Sequence, residues 1–326
     1  MRRIVVAVLA LLTGCGSSGG RDEIVAGSAS TSFMTSSTTS STSTSTSTST
    51  TTTTVPCNHL EPTITNHVYA TYPGVGDRFT SFDLYLPAGC GPFPVLVWVH
   101  GGAWVGGDKA NPEALDRASY AFSLGYALAS TNYRLANKFG KGFWPDYPND
   151  VADAVAHIVG NADTLLLDAE RISLLGHSAG GHTVAILSAD RSYMSARGLA
   201  DTTLDCVIAN DTVGYRLADR ATSYPIAVDN AFGTDPEVLA DASPSVRVER
   251  EGAPATRYLI ITRGSAQHRA VEFADLVVAA GGDASVLFAG DYSHEEVNRV
   301  LGEPNENVIT PTVSEFLRRC LTPSVR

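Results

Sequence analysis

The chain has 326 residues, of which 44% are hydrophobic and 17% charged, and its formal net charge is −11. A chain this acidic lacks the basic surface that holds phosphates, so nucleic acid is not an expected partner. Its mean hydropathy is close to zero, and its one strongly apolar stretch lies at the N-terminus. A protein with several membrane spans is therefore excluded as well.

The N-terminus has the pattern of an export signal. Arg2 and Arg3 precede an apolar run over residues 4–12, which is too short to span a bilayer. The run ends in LTGC, which resembles the bacterial lipobox, where the cysteine (here Cys15) is lipidated and becomes the mature N-terminus. We therefore expect a signal peptide over residues 1–14 and an exported bacterial lipoprotein, anchored by lipid at the membrane surface of the cell. An ordinary secretory signal with a chance cysteine is the alternative.

Residues 15–55 are predicted to be a disordered tether. They include an unbroken Ser/Thr run over residues 35–54, which offers no large apolar side chains to offset the entropy of ordering. The rest of the chain, residues 56–326, is long enough for one large globular domain.

The cysteines fit an exported protein. Without Cys15 an even number remains, as expected for disulfides in an oxidising compartment. Cys57, Cys90, Cys206 and Cys320 allow three pairings. We prefer Cys57–Cys90 with Cys206–Cys320, because the first pair lies near in sequence at the start of the domain. Four unpaired buried thiols are the alternative.

Strand and helix patterns alternate along the domain. Residues 94–100 (PVLVWVH) form a continuous apolar run, as in a strand covered on both faces, whereas residues 78–86 alternate like a half-exposed antiparallel strand. Residues 150–160 place apolar side chains on one helical face behind Asn149, which can cap the first N–H groups. Further strands are predicted over residues 125–133, 171–175, 206–209, 257–262 and 284–288, and further helices over residues 179–189, 269–280 and 311–320.

This alternation predicts an α/β fold with a mostly parallel, doubly wound sheet flanked by helices. In such sheets ligands bind beyond the carboxyl ends of the strands. Motifs that directly follow a strand are therefore the candidates for a functional site.

The first such motif is GHSAG, residues 176–180, which stands between a predicted strand and a predicted helix. A sharp strand-to-helix turn forces its serine into a strained backbone conformation and leaves room only for small residues two positions away on either side. The turn lifts the hydroxyl above the sheet at the positive end of a helix. Ser178 is therefore the candidate nucleophile, and an exposed serine in a glycine-rich connection is the alternative.

The second motif is HGGAW, residues 100–104, directly after the PVLVWV strand. Its glycines leave backbone N–H groups free of side-chain obstruction. We expect the amides of Gly101, Gly102 and Ala179 to form an oxyanion hole. His100 is predicted to brace the loop, and Trp104 either faces the substrate or packs within the loop.

A serine hydroxyl needs a base, because it is barely ionised at neutral pH. Of eight histidines, His294 is the best placed, since it follows a predicted strand and a glycine-containing loop late in the chain. His177 and His182 lie on the turn and its helix, where their rings are badly placed to meet the hydroxyl. Any histidine can instead be an ordinary core or surface residue.

Together these motifs resemble the α/β-hydrolase fold, and more narrowly its HGG-bearing esterase branch, which includes the hormone-sensitive-lipase-like and BD-FAE-like groups. The resemblance covers roughly residues 80–321. It implies a catalytic domain in which Ser178 attacks an acyl carbonyl, His294 moves the proton and water releases the acyl group. It thus implies a serine carboxylesterase acting on a small-molecule ester, with no cofactor and no metal.

The acid of the triad departs from the pattern of the relatives. In most of them it follows the seventh strand in a segment resembling G-x-x-D, where this chain reads RGSAQ and has Gln267. Glutamine cannot supply the charge that stabilises an imidazolium. We expect Asp211, at the carboxyl end of the sixth strand, to be the acid of the triad instead. The alternative is that Asp211 only caps a turn. Asp291 and Glu272 are weaker candidates.

Two other functions stay open at this point. One is an amidase, such as the formamidases that share this branch. The other is a binding module without catalysis, which the Gln267 departure suggests. Residues 215–247 are expected to form a lid or cap made of loops rather than long helices, since they are rich in Pro, Asp and Gly.

Overall fold

The computed structural model describes residues 61–212, 214–218, 225–264 and 267–321, and these surround one eight-stranded sheet. The predicted signal peptide, the lipidation site Cys15, the Ser/Thr tether and Cys57 lie outside the described residues. No helix in the described ranges has the length and apolar character needed to cross a bilayer.

The sheet is mostly parallel, as predicted. Its spatial order is β1-β2-β4-β3-β5-β6-β7-β8; β1 and β2 run antiparallel to their neighbours, and the other pairs are parallel. The strands are β1 (Thr63–Val68), β2 (Ser81–Leu86), β3 (Phe93–Val99), β4 (Ala127–Thr131), β5 (Leu167–His177), β6 (Leu204–Asn210), β7 (Arg257–Thr262) and β8 (Asp283–Phe288).

Helices occupy the connections between the strands. The longer ones are α1 (Glu113–Ser123), α2 (Asp146–Gly160), α4 (Ala179–Ala189), α9 (Gln267–Ala279) and α11 (Ile309–Leu321). The shorter ones are α3 (Ala162–Leu165), α5 (Ser192–Ser195), α6 (Pro225–Phe232), α7 (Pro236–Asp241), α8 (Pro244–Glu251) and α10 (Glu296–Arg299), and one 3-10 turn covers Asp77–Thr80.

Two hydrophobic cores lie on opposite faces of the sheet. In β3, Val95, Val97 and Val99 join the core beneath α2, α4 and α9, while Leu96 and Trp98 join the core beneath α1 and α11. Alternate residues of a strand point to opposite faces, so a strand covered on both sides must be apolar throughout. This is the physical reason that PVLVWV reads as a continuous apolar run.

The first predicted strand is shorter and more deeply buried than expected. The predicted range 78–86 begins with the 3-10 turn, and β2 starts only at Ser81. Of its six residues only Asp83 is not buried, because β2 lies between β1 and β4 rather than at the edge of the sheet. The prediction that this strand runs antiparallel is confirmed, and the prediction that one of its faces is half-exposed is wrong.

Helix α2 begins one turn earlier than predicted. It starts at Asp146, and Asn149 does not cap it: its side-chain amide donates to the carbonyl of Pro145 at 2.9 Å. The turn contains Pro148, whose missing N–H costs nothing in a first turn, where those groups have no partner within the helix. The predicted cap Asn149 therefore lies inside the helix.

The segment predicted to be a lid made of loops contains short helices instead. Its described residues include α6, α7 and the start of α8, of which none exceeds eight residues. Asp235 caps α7 through its side chain, and a proline occupies the first turn of both α7 and α8. The three prolines of this segment and Asp235, which suggested loops, are thus helix-start residues.

A disulfide joins the sheet to the last helix. Cys206 of β6 is bonded to Cys320 of α11, across 114 residues of chain, which confirms that predicted pair. Cys90 is also disulfide-bonded, and Cys57, its predicted partner, lies outside the described residues.

Removing the 206–320 bond should lower stability strongly. A cross-link that closes a loop of about 100 residues lowers the entropy of the unfolded chain, which raises the free energy of unfolding by up to about 4–5 kcal/mol. We therefore expect the Cys206→Ala/Cys320→Ala variant to have a clearly lower free energy of unfolding than the parent in urea titrations. Added reductant should bring the parent towards the variant. Equal stability of the two oxidised proteins would contradict this expectation.

Candidate active site

Ser178 stands on a sharp turn between β5 and α4. Its φ is +56° and its ψ −118°, a conformation that is strained for a residue with a Cβ. The turn is too tight for side chains at the flanking glycines: a Cβ on Gly176 would lie 2.2 Å from the carbonyl oxygen of Gly180, and one on Gly180 would lie 2.1 Å from that of Val99. The GHSAG pattern is therefore a steric requirement of this turn.

The structure brings Ser178, His294 and Asp211 together in one hydrogen-bonded chain. The Ser178 Oγ lies 2.9 Å from the Nε2 of His294, and the Nδ1 of His294 lies 2.6 Å from the Oδ2 of Asp211. A carboxylate only accepts hydrogen bonds, so Nδ1 carries the proton and Nε2 is free to accept from the serine. This is the arrangement of a nucleophile, a base and an orienting acid.

Strand register explains why Asp211 reaches this position. His177 and Asn210 are paired residues of the neighbouring strands β5 and β6, so Ser178 and Asp211 follow directly at the same edge of the sheet. The amide of Ser178 donates to the carbonyl of Asn210 at 2.9 Å, and that of Asp211 donates to Ile261 at 2.8 Å. The side chain of Asp211 is only 4% exposed.

His294 comes from the far edge of the sheet, so the loop that carries it must cross back over β7 and β6. Three hydrogen bonds hold this crossing. The amide of Ala289 donates to Thr262 at 2.8 Å, the side chain of Asn210 donates to the carbonyl of Val297 at 3.0 Å, and His177 contacts the backbone of His294 itself. The loop is therefore fastened to the ends of the strands that carry the serine and the acid.

His177 is a residue whose role the sequence analysis missed. Its Nε2 donates to the carbonyl of His294 at 2.9 Å, and the two rings lie 4.6 Å apart. Burial, followed by the neighbouring His294, lowers the pKa of His177 to about 3, so it is neutral at working pH. Its ring does not meet the serine, as predicted, but it holds the base in place.

Arg263 is a second missed residue. Its Nε donates to the Oδ2 of Asp211 at 2.6 Å, so that one carboxylate oxygen accepts from both Arg263 and His294. Arg263 follows β7, within the RGSAQ segment where the relatives are expected to carry their acid. In the segment where the relatives carry their acid, this chain therefore carries the cation Arg263, which contacts the substitute acid Asp211.

The weaker acid candidates, Glu272 and Asp291, and Gln267 at the position of the relatives' acid all lie away from the His294 ring nitrogen that contacts Asp211. Gln267 and Glu272 line an open groove along α9, and Glu272 lies 3.7 Å from Arg216. Asp291 is exposed in the loop before His294. The substitution at Gln267 therefore does not leave His294 without a carboxylate.

The three expected oxyanion donors surround Ser178. Gly101 lies so close that a Cβ there would be 3.1 Å from the Cβ of Ser178. Its amide and that of Gly102 find no acceptor among the described residues. Ala179 is the first residue of α4, where an amide has no partner within the helix. Gly101 and Gly102 line the same cavity as Ser178, and the amide of Ala179 follows the serine directly, so these donors are available to a substrate oxygen.

His100 and Trp104 have structural positions. His100 is buried, donates from Nδ1 to the carbonyl of Gly101 at 2.7 Å and stacks on Tyr133 at 4.6 Å. It therefore braces the loop, as predicted. Trp104 is 4% exposed and packs edge-on against His182 and Phe232, which decides for loop packing over a wall that faces the substrate.

A cavity of about 390 Å³ opens beside Ser178. Apart from the two glycine motifs and His294, the residues that line it are Trp98, Gly107, Asn111, Glu113, Glu295 and Asn298. Within the described ranges, no group of three or more His, Cys, Asp or Glu side chains is arranged to hold a metal ion.

Comparisons with known proteins find similar sequences and folds among esterases. The BD-FAE family model matches residues 82–206, a range that contains both glycine motifs. The esterase LipC of Mycobacterium tuberculosis is 33% identical over 177 residues, which are 50% of this chain and 42% of LipC. The chain thus spans less than half the length of this relative.

Two solved structures share the fold. A truncated carbohydrate esterase from gut microbiota superimposes with a TM-score of 0.67 at 18% identity, over 82% of this chain and 99% of that one. Esterase B of Lactobacillus rhamnosis gives a TM-score of 0.63 at 18% identity, over 80% of this chain and 86% of that one. The chain therefore has the α/β-hydrolase fold, and its central part resembles the BD-FAE-like esterases of that fold.

Proposed function

We propose that this protein is a serine carboxylesterase that cleaves small-molecule esters through an acyl-enzyme intermediate. The observation that carries the proposal is the unbroken chain from the Ser178 hydroxyl through the His294 ring to the Asp211 carboxylate. The esterase relatives support the same reaction class.

The first half of the reaction acylates Ser178. As its Oγ attacks the acyl carbonyl, the hydroxyl proton passes to Nε2 of His294, and the charge of Asp211 stabilises the resulting imidazolium. The imidazolium then protonates the leaving alcohol. Water then attacks the acyl carbon and loses a proton to His294, and the acid leaves as His294 returns that proton to the Ser178 Oγ.

The oxyanion of both tetrahedral intermediates lies against the amides of Gly101, Gly102 and Ala179. Such donors each contribute about 3–4 kcal/mol to stabilising the transition state. They are positioned by the strand ends and the start of α4 before the substrate arrives, so they need no reorganisation during the reaction.

The cavity favours a neutral and polar substrate portion. Glu113 and Glu295 repel anions, whereas Asn111, whose side-chain oxygen has no partner among the described residues, can bond hydroxyl groups. A panel of acyl chain lengths that includes acetylated and feruloylated sugars is the direct way to identify the ester.

We expect the protein to react with a fluorophosphonate probe and to hydrolyse p-nitrophenyl acetate but not the matching amide. Both reactions should be lost in Ser178→Ala, because the attacking oxygen is gone. Mass spectrometry of the labelled protein should locate the probe on Ser178. Amide cleavage at a comparable rate would indicate an amidase, and an unlabelled parent protein would indicate a binding module without catalysis.

Asp211→Asn should lower kcat by about 10⁴, the loss that follows when an amide replaces the acid of a triad. The matched control is Asp291→Asn, which removes a carboxylate from the same exposed loop that carries His294 and should leave kcat close to that of the parent. Near-normal turnover of Asp211→Asn would refute the assignment of the acid.

His177 offers a test of the loop attachment. His177→Phe removes the donor to the His294 carbonyl and should lower kcat about tenfold, the loss of one buried hydrogen bond. His177→Gln keeps an N–H donor and should retain most of the activity. Equal kcat in the two variants would contradict a positioning role.

His177 also predicts a pH dependence of stability. Its pKa is about 3 in the folded protein and about 6.5 in the unfolded chain, so the unfolded state binds the extra proton. The contribution of neutral His177 to the free energy of unfolding is therefore fully present above pH 6.5 and is lost as the pH drops towards 3. Between those values the parent should lose stability more steeply than His177→Gln in urea titrations.

We also propose that the protein is exported and anchored to the membrane surface through lipidated Cys15, with residues 15–55 as its tether. The lipobox-like LTGC sequence supports this. A Cys15→Ser variant should move from the membrane fraction to the soluble fraction of the producing cells, and parent protein should incorporate labelled fatty acid. Unchanged fractionation of the variant would count against the anchor.

A further inference from the structure

The distribution of lysine in this chain is very uneven. The chain contains three lysines in all. Lys109 is buried and paired with Asp83. The other two, Lys138 and Lys141, are exposed and lie three residues apart in the loop between β4 and α2. Neither forms an ion pair with any described residue, although the protein as a whole is strongly acidic.

The same loop exposes two aromatic rings. We define it as the 138–143 loop, with the sequence KFGKGF. Phe139 is 64% exposed and Phe143 is 47% exposed, and the ammonium of Lys138 lies 4.9 Å from the centroid of the Phe139 ring. Two exposed rings in one six-residue loop form an apolar patch, and such patches rimmed by polar groups mark surfaces that bind a protein or a membrane.

The loop is rigid in its local hydrogen bonding. The side-chain oxygen of Asn137 accepts from the amides of Phe139 at 2.9 Å and Gly140 at 2.8 Å, and its carbonyl accepts from Lys141 at 2.8 Å. The amide of Gly142 returns to Leu135 at 2.8 Å. The aromatic and cationic side chains are thus displayed by a fixed turn rather than by a loose segment.

The base of the loop is fastened to the core. Arg134 forms a two-pronged ion pair with Asp150 of α2, a carboxylate that is fully buried. On the other side, the amide of Ala136 donates to the carbonyl of Trp104 at 2.8 Å, and the side chain of Asn137 donates to that of Val105 at 2.7 Å. The loop therefore lies next to the HGGAW segment that lines the candidate active site.

We propose that the 138–143 loop docks on the surface of a membrane that contains anionic lipids. The two lysines complement the headgroup charge, and the phenylalanine rings enter the boundary between headgroups and acyl chains. The acidic remainder of the protein is repelled by the same surface, which selects this loop as the contact. The inference does not depend on ester hydrolysis, because none of these residues belongs to the catalytic group.

The test uses the mature chain, residues 15–326, with Cys15→Ser, so that neither the predicted signal peptide nor a lipid anchor contributes to binding. Its partitioning is measured by co-sedimentation with vesicles of phosphatidylcholine alone and of phosphatidylcholine mixed with phosphatidylglycerol. Binding should require phosphatidylglycerol and should weaken as salt is added. Equal binding to both kinds of vesicle, or none to either, would overturn the proposal.

Loop variants locate the contact. Lys138→Gln/Lys141→Gln should lower the partition coefficient roughly 30-fold, and Phe139→Ser should lower it about tenfold. The matched controls remove exposed groups elsewhere: Arg191→Gln/Arg319→Gln for charge and Phe288→Ser for the aromatic ring. Controls should bind within about twofold of the parent, and all variants should keep its thermal midpoint. Loop variants that bind like the parent would refute the assignment.

Polyphosphate, a soluble polyanion, tests whether the loop binds anionic lipid in a membrane or any anionic polymer. If the loop docks on a membrane, polyphosphate should bind weakly, and Phe139→Ser should not change that binding. If polyphosphate binds as tightly as the vesicles and displaces them, the partner is an anionic polymer and the membrane proposal fails.

Discussion

The tight turn at Ser178 is the constraint on which the rest of the site depends. With φ at +56° and no room for a side chain at either flanking glycine, the chain can hold the hydroxyl in only one place. That place is beyond the carboxyl end of β5, against the start of α4 and the HGG segment that follows β3. The strain is maintained because α4 is buried along its whole length and cannot shift to relieve it.

Once the serine is placed, its partners come from strand ends at one edge of the sheet. Asp211 leaves the adjacent strand β6 one residue beyond its pairing with β5, and His294 returns from β8 on a loop tied to Asn210 and His177. The base therefore depends on backbone contacts with the same strands that present the nucleophile and the acid. Its alignment is a property of the sheet as a whole rather than of its own loop.

The acid site combines a displaced carboxylate with an added cation. Asp211 lies one strand closer to the nucleophile than the position expected from the relatives, and Arg263 occupies the segment after β7 and contacts the same carboxylate oxygen as His294. Because the Asp211 side chain is only 4% exposed, the cost of burying it is offset by two donors, the guanidinium of Arg263 and the ring N–H of His294. The arrangement fixes the carboxylate in the orientation that His294 needs.

The amino-acid sequence alone determined the fold class, the strands of the parallel sheet, and the places of Ser178, His294 and the two glycine motifs. These follow from local rules: apolar runs mark strands buried on both faces, and the glycine spacing is a steric requirement of a single turn. Asp211 was also predicted as the acid, from its place at the end of the sixth strand, whereas the residues that support the acid and the base were identified only from the tertiary structure. That Arg263 and His177 contact the acid and the base depends on chain segments separated by 52 and 117 residues, and the depth of β2 depends on its neighbours in the sheet. Such contacts leave no local periodicity in the sequence, because strand order and register bring them together.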